Sequence, residues 1–122
     1  MGGQLPEMFG SNATNLEILN VDSNSLTGTI PNGFLSNSPV SDINLGNNFL
    51  KGPLPPNLGN TTTLTALNVG LNGLSGSLPA ELGDSLNLSV LTVDGNDFTG
   101  LVPASLDQLI NLSKCTLETF KS

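Results

Sequence analysis

The sequence predicts an α/β repeat solenoid. One short coil of chain is laid down again and again, with a parallel β-sheet along one side and irregular or 3₁₀ structure along the other. Two observations carry this expectation. Asparagines recur at Asn24, Asn48, Asn72 and Asn96, each 24 residues after the last. Apolar residues recur with them in fixed columns, and matched columns at an unbroken period are the mark of a repeat architecture.

Each coil opens with Leu16, Val40, Leu64, Leu88 or Leu112. Three residues on come Leu19, Ile43, Leu67, Leu91 and Cys115, then Val21, Leu45, Val69, Val93 and Leu117. The alternation in Leu19-x-Val21 is that of a strand with one buried face. Stacked copies pair as a parallel sheet, one strand per repeat. The Asn column follows and is read as scaffold, its side chains turning inward to partner backbone groups that the bends leave unpaired. Next stand Leu26, Leu50, Leu74 and Phe98, and then Gly28, Gly52, Gly76 and Gly100, where the chain bends. An apolar residue and a proline close the pattern, as in Ile30-Pro31, Leu54-Pro55, Leu78-Pro79 and Val102-Pro103. The proline opens a tight convex segment, where its missing N–H costs least. Phe34, Leu58, Leu82 and Leu106 then point back to the core. Full repeats are therefore expected over 16–39, 40–63, 64–87 and 88–111, with partial repeats over 1–15 and 112–122, all in one domain.

The unit L-x-x-L-x-L-x-x-N-x-L-x-G-x-I/L-P resembles the plant-type, extracellular leucine-rich repeat of receptor-like kinases, receptor-like proteins and polygalacturonase inhibitors. The G-x-I/L-P tail marks that subtype; three of the four full repeats carry it as written, and the fourth has Val102 in the apolar place. The resemblance implies a right-handed coil with the parallel sheet on its concave side. It also implies a non-catalytic interaction module that binds a protein, peptide or glycan, at the cell surface or outside the cell. The parent chain would be membrane-anchored in the receptor case. A secreted inhibitor of a cell-wall hydrolase is the alternative reading on the same scaffold.

Composition narrows the chemistry. The chain has 3 Lys+Arg against 10 Asp+Glu, a net charge of -7, which disfavours nucleic acid and anionic membrane surfaces. The cations are Lys51, Lys114 and Lys121, and no His, Tyr, Trp or Arg is present. Without His a Ser-His-Asp triad is impossible, and the commonest zinc ligand is gone. A single cysteine rules out an internal disulfide and any Cys-cluster metal site. Asp22 and Asp94 lie three repeats apart, or roughly 14 Å at strand spacing, too far to share a metal or a proton. No enzyme activity, cofactor or metal is expected. No stretch is apolar enough for a transmembrane helix, so this segment should make no direct membrane contact. No signal peptide is visible.

Strand alternation puts one row outward on each side of the buried columns. The candidate binding surface is Asn20, Asp22, Asp42, Asn44, Asn68, Thr92, Asp94, Lys114 and Thr116. It is small, polar and mildly acidic, so contacts should be distributed; equally, this stretch could be a spacer within a longer array. The ladder Asn20, Asn44, Asn68, Thr92, Thr116 raises a remote alternative, an ice-binding face. Sequons at Asn12, Asn60, Asn87 and Asn111 are candidate N-glycosylation sites, though in number about what composition alone delivers. Cys115 is expected to act as a small buried hydrophobe, or to pair with a cysteine in a following cap. Neither end shows a polar cap, and the chain is expected to be a piece of a longer array.

Overall fold

The computed structural model describes residues 3–4, 15–100 and 102–116. Its spine is a parallel sheet of Ile18–Asn20, Asp42–Asn44, Ala66–Asn68, Val90–Thr92 and Lys114–Thr116, adjacent in that order. Register follows the repeat: Leu19 stands opposite Ile43, Ile43 opposite Leu67, Leu67 opposite Leu91, and Leu91 opposite Cys115. The first three of these strands end with a backbone bond into the next coil: Val21 N–H to Asn44 O, Leu45 N–H to Asn68 O and Val69 N–H to Thr92 O.

The apolar columns meet inside. Leu19, Ile43, Leu67 and Leu91 are buried, as are Val21, Leu45, Val69 and Val93. From the far side Leu26, Leu50, Leu74 and Phe98 close over them. Phe34, Leu58 and Leu82 seal the convex end of the core, with Leu106 partly buried. A side chain in one coil is covered by its equivalents before and after it, so no coil completes its own core.

The structure adds a second parallel ladder where the sequence suggested only bends. Lys51–Pro53, Gly73–Gly76 and Asp97–Phe98 pair along the flank, and Thr29 bridges to Lys51. Leu26–Thr27 pairs in turn with Gly3–Gln4. The hydrophobic pattern is silent here because at most one residue in each short strand is buried: Leu74 within Gly73–Gly76, Phe98 within Asp97–Phe98 and none within Lys51–Pro53. The ladder arises because stacking at a fixed period aligns the backbone whatever the side chains. Its glycines make the turn that follows possible: Gly28, Gly52, Gly76 and Gly100 all have φ between 77 and 84, a left-handed conformation costly for other residues. Partners in this ladder are closer in sequence than in the spine. Ser75 faces Asp97, whereas Asn44 faces Asn68.

The convex segments differ from coil to coil. After Pro79 and Pro103 the chain forms 3₁₀ turns, Ala80–Asp84 and Ala104–Gln108. In the first two full repeats the same stretch is made of simple turns. The two 3₁₀ turns press together at Gly83, where an added Cβ would lie 2.5 Å from the Ser105 carbonyl oxygen. Among the described residues no helix is long and apolar enough to cross a membrane.

Leu67 sits in the middle coil, fully buried between Ile43 and Leu91. Leu67→Ala should cost about 2–5 kcal/mol of unfolding free energy, the usual range for deleting a buried leucine, as read by urea denaturation of the 122-residue chain.

Candidate functional site

Two sets of polar side chains emerge from this frame, one turned inward and one outward. The inward set is the Asn column. Asn48 is buried, and its Oδ1 accepts the backbone N–H groups of Asn24 and Leu26 in the preceding coil, both at 2.9 Å. Its Nδ2 is shared among the carbonyls of Val21, Leu45 and Gly46 at 3.0–3.1 Å. Asn72 repeats the arrangement toward Leu50 N–H and the carbonyls of Leu45, Val69 and Gly70. Asn96 does so toward Leu74 N–H and the carbonyls of Val69, Val93 and Asp94. Asn24 donates to its own Asp22 carbonyl. These side chains close backbone groups between coils and are not offered to a ligand.

The outward set lies on the concave strands. Asn20, Asn44 and Asn68 each turn Oδ1 back to accept the N–H two residues on, at Asp22, Gly46 and Gly70. That leaves their Nδ2 groups as the donors the strand face presents. Thr92 continues the row, while Asp42 sits half-buried one row over, among Ile18, Ala66 and Val90. Lys114 and Thr116 share register with Val90 and Thr92. Asn12 and the side chains of Lys114, Cys115 and Thr116 lie outside the described residues.

Just past the strand ends a groove of about 460 Å³ runs across the coils. Asp22 and Asp94 stand at its two ends, with Asn68 and Thr92 along it. Its floor is Gly46 and Gly70. The 24-residue period sets these glycines level with the two aspartates. Both are buried, because the Asn44 and Asn68 side chains close over Gly46, and Asn68, Thr92 and the Asp94 backbone close over Gly70.

Leu71 and Asn47 form one bank of this groove, and both also line a second hollow of about 480 Å³ on the flank, with Phe49 and Gly95. Sequence reasoning passed over Leu71. The signal was present in its column: Ser23, Asn47, Leu71 and Gly95 all adopt left-handed φ, of 61, 54, 56 and 75. Serine, asparagine and glycine tolerate that conformation, and a leucine among them is out of place. Among the described residues no group of three or more His, Cys, Asp or Glu gathers to hold a metal ion.

Of the sequons, Asn87 and Asn111 are exposed, each donating from Nδ2 to a carbonyl of the previous coil, Thr62 O and Leu86 O. Asn60 is half-buried, donating to Ser38 O while its Oδ1 accepts the N–H and Oγ1 hydroxyl of Thr62.

A family model described as Leucine Rich Repeat matches residues 15–37 and 87–109, in phase with the coils above. The chain carries leucine-rich repeats. Its leucine-rich-repeat coil is similar to solved plant receptor ectodomains. Against the Arabidopsis receptor kinase HAESA, in complex with the peptide hormone IDA and the co-receptor SERK1, identity is 31% and the TM-score 0.89, over 96% of this chain and 20% of that one. Against PEPR1 in the PEPR1–AtPEP1 structure, identity is 36% and the TM-score 0.81, over 93% and 16%. Against the BIR2 ectodomain from Arabidopsis thaliana, identity is 26% and the TM-score 0.78, over 99% and 67%. The chain thus spans about a fifth of the HAESA ectodomain's length. No match is found among curated proteins.

Removing the Asn48 side chain strands two backbone N–H groups at once. Asn48→Ala should lower unfolding free energy by about 2–3 kcal/mol, the scale of buried groups left without partners. In the same denaturation series the exposed Thr61→Ala should change it by less than about 0.5 kcal/mol.

Proposed function

We propose that this leucine-rich-repeat segment is the ligand-reading part of an extracellular receptor of the plant type, and that it reads a peptide or an extended protein segment along its concave groove. The observation that carries this is the groove itself. It crosses several coils, has an aspartate at each end, and includes the Asn68 amide, held in one orientation by its own backbone. A surface of that kind recognises by shape and distributed hydrogen bonds; it offers no nucleophile or acid–base pair for turnover. The similarity to HAESA, solved with a peptide hormone and a co-receptor, and to PEPR1, solved with AtPEP1, supports the reading. It also supports a location outside the cell or at its surface.

The test is selection from a displayed library of random dodecapeptides. Binders to the wild-type chain are expected, and Thr92→Trp, which fills the groove, should abolish their binding. Gln108→Trp on the exposed convex side should not. Binders indifferent to Thr92→Trp, or blocked by Gln108→Trp, would overturn the proposal. On a secreted chain the exposed Asn87 and Asn111 are the acceptors expected to carry glycans, and the half-buried Asn60 is not. Intact-mass measurement of chains expressed in a secretory host should show one glycan lost in each of Asn87→Gln and Asn111→Gln, and none in Asn60→Gln.

A further inference from the structure

The Leu71 bank points to what kind of peptide the groove accepts. Leu71 is 60% exposed and the neighbouring Phe49 68% exposed. Neither contributes to the core. Leu71 in addition holds φ at 56, a left-handed conformation costly for an L-residue other than glycine. Its sister positions carry Ser23, Asn47 and Gly95. The structure seats the side chain over Gly95, where an added Cβ would come within 2.6 Å of Leu71 Cδ2. A strained, exposed leucine with room made for it does nothing for folding. It forms an apolar rail with Phe49 between the concave groove and the flanking hollow.

Charge settles the occupant of that rail. The groove beside Leu71 has a carboxylate at each end, Asp22 and Asp94, and no cation in its lining. The whole chain carries a net charge of -7. An acidic segment would be repelled, and a purely apolar one would leave both carboxylates facing it without a counter-charge. Asp22 and Asp94 stand three strands apart, about 14 Å, which an extended chain covers in about four residues.

Resting on the peptide-reading function above, we infer that the groove takes an extended cationic peptide. Basic residues at i and i+4 meet Asp22 and Asp94, and an apolar side chain packs on Leu71 and Phe49. The apolar contact supplies affinity insensitive to salt. The two aspartates supply selectivity and a salt-dependent on-rate.

Fluorescence anisotropy tests this with two synthetic peptides of one design: lysines at i and i+4, glycine and serine between them, a leucine beyond, and a twin with glutamates replacing the lysines. The lysine peptide should bind at least about tenfold more tightly, a difference of about 1.4 kcal/mol, and the preference should shrink as salt is raised. The double substitution Asp22→Asn/Asp94→Asn should erase the preference. Leu71→Asn restores a side chain that suits the left-handed backbone, so the fold is kept; it should weaken both peptides alike. Equal binding of the two peptides, or a preference unchanged by the double substitution, overturns the cationic assignment. If that binding is still lost in Thr92→Trp, peptide reading by the groove stands. Binding by neither peptide, or binding indifferent to Thr92→Trp, overturns both.

Discussion

Everything in this molecule depends on one arrangement: an asparagine side chain that satisfies the backbone of the coil before it. A coil that turns sharply leaves N–H and C=O groups facing the interior, where water cannot reach them. Asn48, Asn72 and Asn96 supply an acceptor and a donor in the right places, and all buried side-chain polar atoms among the described residues have partners. A leucine there would strand those groups, and an aspartate would offer no donor to the carbonyls. The apolar columns provide the bulk of the driving force, but the asparagines allow the chain to bend within an apolar interior at all.

The concave surface is a by-product of that scaffold, and its freedom follows. Because core and asparagines fix the backbone, the outward positions can change without cost to folding. The rows beside the columns are where Asp22, Asn44, Asn68, Thr92 and Asp94 sit. The residues to which the proposed function assigns selectivity are therefore ones that contribute little to stability. Leu71 is the extreme case, since its backbone conformation works against the fold.

Much of the fold could be read directly. The spacing of Leu19, Ile43, Leu67 and Leu91 determined strand register before any coordinates, because a period of 24 leaves only one way to superpose the columns. The flank ladder of Lys51–Pro53, Gly73–Gly76 and Asp97–Phe98 could not be read. Backbone pairing there leaves no alternation in side chains, and a proline inside one strand argues the other way. The candidate site was legible in its rows but not in its relief. That Gly46 and Gly70 are a covered floor depends on how Asn44, Asn68 and Thr92 lean, which strand alternation does not specify. The column of Ser23, Asn47, Leu71 and Gly95 marks Leu71 as out of place, but its exposure and left-handed φ are properties of the folded coil.

The asparagine bonds also run one way. Asn48 reaches back 22 residues to Leu26 and 27 to Val21, and Asn72 and Asn96 reach back by the same intervals. In this column each turn's backbone is capped by its successor's asparagine and not by its predecessor's. As the polypeptide emerges from a ribosome, the newest turn therefore stays unlatched until the next has followed it out, and the structured front trails the growing end by one winding. Growth by accretion of this kind is directional: a halt in translation leaves a single open turn at the tip, whatever number of closed ones lies behind it.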